Sequence, residues 1–250
     1  MLKLIKYEFR KQMFSKLVIL AIIGLIQLYF LVGVGLDNKD MEATSMVLLT
    51  LFALGALFFL AFESIITFNS DLKQKQSYML FLTPNTTYGI VGAKVLSAAI
   101  QIVVAGIAFV VVYAVNGGIL LAKYSSLTQM KEIALQLINK FFQIDMKVSY
   151  ILLAVGLVIG LWLSTVTTAF LSITLSSTFL ANKKYKGLVS FVIFLVLNYG
   201  YGYISDLLSR NLDISQNVTL FFTLQILYMI CFTVITYIGT AWMLDKKVSV

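Results

Sequence analysis

Eleven carboxylates, nineteen basic side chains, one cysteine and no histidine are the reactive groups of this 250-residue chain. Without histidine, the usual near-neutral proton shuttle and the commonest metal ligand are both missing. The lone thiol, Cys231, lies in an apolar run and has no partner for a disulfide within the chain. No carboxylates pair at a spacing suited to acid–base work. No G-x-x-x-x-G-K-[ST] phosphate loop occurs. The N-x-[ST] matches at Asn85 and Asn217 are common by chance. The expectation is a chain with no catalytic residue, no metal site and no bound cofactor, and therefore not an enzyme by itself. One ionisable residue is out of place: Glu63 sits inside an apolar run, six residues before Asn69. A charge at membrane depth is costly and marks a candidate functional group in transport or coupling. The plainer reading is that it reaches headgroup water or pairs with Lys73.

The elements that carry these groups are greasy. The chain is 60% hydrophobic and 12% charged, with a mean hydropathy of +0.94. Soluble domains are nearer a quarter charged. The apolar residues come in long runs, which points to an all-α integral membrane protein. Six spans are read at Leu17–Leu36, Ala43–Asn69, Val95–Leu121, Val148–Ala181, Gly187–Ile204 and Val218–Leu244. They form a single transmembrane domain over 17–244, between a basic segment 1–16 and a tail 245–250. The basic start runs straight into a full-length span, unlike a cleavable signal peptide.

Charge orients the bundle. Segments 1–16, 70–94, 182–186 and 245–250 carry 13 basic residues, against six in 37–42, 122–147 and 205–217. The positive-inside rule then places both termini in the cytoplasm. The net charge of +8 is explained by this flanking pattern. With only Arg10 and Arg210 among the bases, nucleic acid is not an expected partner.

Several segments have a pattern of their own. In Met1–Lys16, Leu2, Ile5, Phe9 and Met13 share a face, as in an amphipathic helix on the cytoplasmic lipid surface. In 122–147, Leu127, Met130, Ile133, Leu137, Phe141 and Ile144 recur at helical spacing, and Ser126 with Gln129 resembles a capping box. That outer segment either lies on the membrane or packs on the bundle. The fourth span carries Gly156, Gly160, Ser164, Thr168, Ser172 and Ser176 four residues apart, a stripe that admits a close helix. Lining a polar pathway is the alternative. In "NYGYGY", Tyr199, Tyr201 and Tyr203 alternate with glycines, which suggests a bent, re-entrant outer region or gate. Leu207, Leu208 and Leu212 would form its short helix.

The stretch "SDLKQKQSYMLFLTPNTTYGIVGAK", from Ser70 to Lys94, holds the only proline. Asp71–Leu82 can form a short helix that Pro84 stops. Asn85 or Thr86 can cap the next helix. The order of a leucine-rich run, Pro84, a helix start, then Gly92 and Lys94 resembles the membrane subunit of type-2 ABC exporters, although "KQKQSY" replaces the acidic element often found before the leucines.

The resemblance extends over the full length and implies an N-terminal elbow helix, a cytoplasmic coupling helix after the second span and a re-entrant hairpin between the last two spans. It implies ATPase coupling through Lys73, Lys75, Tyr78, Met79, Leu82 and Pro84. It further implies a homo- or heterodimer of membrane subunits, partnered by separate ATPase chains that hold the ATP and Mg. Small lysine-rich permeases of this kind resemble exporters of amphipathic toxin peptides such as phenol-soluble modulins, in a bacterial plasma membrane. An amphipathic or hydrophobic peptide is the expected cargo. An ATPase-independent carrier or channel is the alternative, and an intramembrane enzyme or a scaffold stands further back.

Overall fold

A computed structural model describes residues 2–73, 86–124, 148–179, 185–210 and 218–246. Among them every element is helical: α1 (Leu2–Lys11), α2 (Met13–Gly35), α3 (Lys39–Lys73), α4 (Thr87–Tyr124), α5 (Val148–Phe179), α6 (Lys186–Arg210) and α7 (Val218–Lys246). The last six are long and apolar enough to cross a membrane. The chain is a multi-pass, all-helical membrane protein. Each of these helices matches one of the six expected spans.

The helices overrun the apolar runs because polar groups at their ends are satisfied. The Asn38 Oδ1 accepts the N–H groups of Asp40 and Met41 at 3.1 and 3.2 Å, capping α3. Asp40 and Glu42 in its first turn suit the positive end of the helix dipole. Thr86 caps α4, its Oγ1 accepting the Gly89 N–H at 3.1 Å. Of the expected coupling segment, Asp71, Leu72 and Lys73 are the last residues of α3; 74–85 lie outside the described residues. The outer segment 122–147 begins as the end of α4, and 125–147 lie outside the described residues.

Tyr199–Tyr203 are helical. The helix α6 continues through both glycines to Arg210. A side chain at Gly200 or Gly202 would meet open space, so neither serves a close approach. Leu207 and Leu208 continue α6 instead of starting a separate helix; Leu212 is outside the described residues.

The described residues fall into two compact units. One comprises Met1–Glu8, Ala61–Ile100 and Tyr150–Val250. Its core gathers Phe68 of α3, Val91 and Ala98 of α4, Val166 and Phe170 of α5, and Ala241 and Leu244 of α7. The rings of Phe68 and Phe170 stack at 4.1 Å. Along α5 the expected stripe faces α7 at its N-terminal part, where a Cβ on Gly160 would come within 3.1 Å of the Met229 Sδ. The hydroxyls of Ser164, Thr168, Ser172 and Ser176 donate back to carbonyls of their own helix. Their protons are therefore already engaged. Beside the stripe, Thr236 Oγ1 of α7 reaches Thr167 Oγ1 of α5 at 2.9 Å.

The other unit comprises Phe9–Leu60 and Gln101–Ser149. It is organised by polar rungs between α2 and α4, with the neighbouring residue Gln12 adding one. Gln101 Nε2 donates to Gln12 Oε1 at 2.7 Å. Gln27 and Asn116 exchange amide hydrogen bonds at 2.6 and 3.1 Å. Lys123 Nζ donates to the Val34 carbonyl at 2.5 Å. All three join residues 89 apart. A constant difference means parallel helices in one register, since an antiparallel pair would keep a constant sum. From Gln12 to Val34 the rungs cover about 33 Å of helix, close to the thickness of a hydrocarbon core.

The α2–α3 turn closes tightly. Asp37 takes a left-handed φ of 53°, and the Asn38 N–H reaches the Gly33 carbonyl at 3.0 Å. This is the hydrogen bond of a Schellman cap. A Cβ at Gly33 would lie 3.0 Å from the Met41 Cβ and 3.2 Å from the Glu42 nitrogen. Gly33→Val should therefore force backbone to move and destabilise the protein by about 1–3 kcal/mol. Thermal unfolding in detergent measures this, and an unchanged midpoint would show that the turn yields freely. Lys123 also binds Asp37 at 2.7 Å and Glu42 at 2.8 Å. Its hydrogen bond holds the exposed Asp37 carboxyl below the usual carboxylate range. With the folded value lowered, the contribution of this pair is present above the ordinary value and lost as pH falls through the folded one.

Candidate functional site

Three ionisable side chains meet in the first unit, from three helices. Glu8 lies on α1, Asp71 near the end of α3, and Lys94 two turns into α4. Lys94 Nζ bonds Glu8 Oε1 at 2.5 Å and also Asp71 Oδ2. The side chains of Lys94 and Glu8 are 4% and 5% exposed. An ammonium has three protons and no acceptor, so one lysine can serve two carboxylates at once. Removing such groups from water costs several kcal/mol per ion, and their mutual attraction repays it only in good geometry. A cluster like this is a poor way to gain stability and a good way to fix one arrangement of helices.

Its position in the chain gives it meaning. Asp71 and Lys94 stand on either side of segment 74–85, so their bond ties together the helices that flank it. The start of α4 has two further anchors on α7. Tyr237 donates its hydroxyl to the Tyr88 carbonyl at 2.8 Å, and Thr87 Oγ1 donates to Asp245 Oδ1 at 3.2 Å. Val91 and Ala98, on the same side of α4 as Lys94, enter the core with Phe68 and Phe170. The arrangement can pass a displacement of the segment's ends to α1, α5 and α7. Among the described residues no group of His, Cys, Asp or Glu could hold a metal.

The residues singled out from sequence fall elsewhere. Lys73 closes α3, while Lys75, Tyr78, Met79, Leu82 and Pro84 lie outside the described residues. Glu63 is half-buried on α3, and its Oε2 is buried without a hydrogen bond among the described residues. Gly156, Gly160, Ser164 and Thr168 lie along α5, as described. Tyr199 and Tyr203 are exposed. Tyr201 turns inward: its ring stacks on Tyr228 at 4.9 Å, and its carbonyl accepts the Tyr228 hydroxyl at 2.9 Å. The structure brings the three tyrosines to no common site.

Glu8 and Asp71 were not anticipated. In the N-terminal segment Leu2 and Met13 are exposed and Ile5 and Phe9 half-buried, whereas Glu8 and Gln12 are buried. The reason is that each of those polar groups finds a buried partner, Lys94 and Gln101 respectively. The spacing of Glu8 and Gln12, one turn apart and one turn after Leu4, was the available signal. No protein-family model, no curated protein and no solved structure matches the chain.

Proposed function

We propose that this chain is the membrane-spanning subunit of a type-2 ABC exporter, dimeric and driven by separate ATPase subunits. The observation that carries the reading is the Glu8–Lys94–Asp71 triad, which ties α1 and α4 to the end of α3 across segment 74–85. In this reading that segment is the cytoplasmic coupling helix, and α1, set off from α2 at Gln12, is the elbow. Movement of the ATPases against Lys73, Lys75, Tyr78, Met79, Leu82 and Pro84 would reach the triad first and the stacked core of Phe68 and Phe170 next. Such a device works by favouring one of two arrangements of the bundle, ATP binding one better than the other. An amphipathic or hydrophobic peptide remains the cargo class, the membrane a bacterial plasma membrane.

The test is to find an ATPase with a phosphate loop in the adjacent reading frame and to co-express it with this chain. The complex should co-purify and hydrolyse ATP, and Met79→Ala with Leu82→Ala should release the ATPase while the membrane subunit stays folded. A chain that is stable alone and captures no ATPase sinks the reading. One observation favours an ATPase-independent carrier: the unpartnered Oε2 of Glu63, a group that a coupling ion could use. Cargo flux in liposomes without ATPase, abolished by Glu63→Gln, would support that reading instead.

A further inference from the structure

The second unit contains a cleft of about 210 Å³. Its walls are apolar, from Ile19 and Ile23 on α2, Leu60 on α3, and Val104, Ala108 and Phe109 on α4. The same cleft is lined by two polar residues, Lys16 and Gln101. It lies beside the first polar rung and short of the second, at Gln27 and Asn116. Lys16 to Ile23 covers about 10 Å of helix, and Gln101 to Phe109 about 12 Å. A narrow apolar slot running along the helices suits an alkyl chain better than a compact ligand.

The polar end is electrically directed. Lys16 Nζ can only donate. It reaches the Gln12 backbone carbonyl and the Gln12 Oε1, both at 3.3 Å, and sits 5.4 Å from the Phe9 ring centre. Bending back one turn in this way carries a lysine head toward the polar edge of the membrane. The Gln12 Oε1 must therefore face Lys16, and it also takes the Gln101 Nε2 proton at 2.7 Å. That fixes the Gln101 amide with its oxygen turned away from Gln12. Gln101 is 4% exposed, yet its Oε1 accepts no hydrogen bond among the described residues. The site is an almost wholly apolar slot with a lysine at one end, and behind it the Gln101 Oε1, buried and reached only when that side chain turns.

We propose that this cleft binds an anionic phospholipid bearing a headgroup hydroxyl, of the phosphatidylglycerol kind. The phosphate meets Lys16, a small turn of the Gln101 side chain lets its Oε1 accept the headgroup hydroxyl, and one acyl chain fills the slot between α2 and α4. The neighbouring sequence agrees in charge: residues 1–16 carry five basic residues and one acid, and anionic headgroups gather at such segments. The inference does not depend on the transport reading, since it requires neither an ATPase nor a cargo.

Native mass spectrometry of the delipidated full chain in detergent tests it, with four lipids offered at equal concentration. Phosphatidylglycerol should be retained best. Phosphatidylmethanol, which keeps the charge and lacks the hydroxyl, should bind more weakly, and phosphatidylcholine and diacylglycerol weaker still. Lys16→Gln should lower phosphatidylglycerol binding about fivefold, the worth of one basic residue at a headgroup layer. Lys6→Gln, on an exposed part of α1, should leave it unchanged. Ala108→Phe fills the slot from a partly open position and should reduce binding of every lipid; Ile23→Trp serves the same end if that variant does not fold. Equal losses from Lys16→Gln and Lys6→Gln would mean general attraction to the basic segment and would overturn the proposal. So would phosphatidylcholine binding as well as phosphatidylglycerol, or no effect of filling the slot. Equal binding of phosphatidylmethanol and phosphatidylglycerol would overturn the role of Gln101.

Discussion

Lys94→Met should destabilise the protein by about 3–5 kcal/mol, the usual penalty for removing one partner of a buried ion cluster. Glu8 and Asp71 would be left facing each other as two buried carboxyl groups, with the shared cation gone. The damage comes from the carboxylates that remain, not from the methionine. The triple variant Glu8→Met, Asp71→Leu, Lys94→Met removes the charges together and should recover most of the loss. Replacing a buried ion cluster by hydrophobic residues of similar volume is often neutral or stabilising. Thermal unfolding in detergent reads both. The pair of results separates two roles. If the triple variant folds well yet the ATPase no longer responds to cargo, the triad holds an arrangement needed for coupling. If Lys94→Met unfolds at the parent temperature, the three groups are not electrostatically joined and the proposed route through them is wrong.

Phe170→Ala should cost about 3–5 kcal/mol, the range for emptying a buried aromatic site. Phe170 is 1% exposed and stacks on Phe68, so its ring both fills space and joins α5 to α3. Phe68→Ala should cost nearly as much. The double variant should fall short of the sum by about 0.5–1.5 kcal/mol, the part that belongs to the ring pair itself. Additive losses would show that each ring packs against its surroundings and that the stack carries no coupling. Phe170→Leu, which keeps most of the volume, should be milder than Phe170→Ala by the same measurement.

The six membrane helices were legible because nothing competes with long apolar runs. Their ends were less so, because an apolar run stops at its first charge and a helix does not. Lys39, Asp40 and Glu42 extend α3 at one end and Asp71 at the other, since a cap and ion pairs satisfy them. At Tyr199–Tyr203 the helix runs on through both glycines, since in lipid an unbroken helix satisfies the backbone groups that a break would leave bare. The triad was illegible for a different reason. Glu8, Asp71 and Lys94 stand far apart in sequence, and each reads as an ordinary flanking charge until three helices bring them together. In the first helix the charge pattern drew notice to the lysines and Arg10, and Glu8 among them gave no sign of a buried partner. The α2–α4 rungs sat between these cases. Gln12 with Gln101 and Gln27 with Asn116 share one offset, visible in sequence only to a reader already looking for a parallel pair.

That shared offset restricts how α2 and α4 can move. Slide α4 by one turn and Gln27 faces Val112 or Leu120 instead of Asn116, leaving two amides bare in an apolar layer. Slip one way also sets Gln12 opposite Ala105. No second setting restores the bonds, so the pair is keyed to a single register. It can tilt or swing as one strut, but it cannot telescope. Whatever change of state this protein undergoes, these two helices travel through it together.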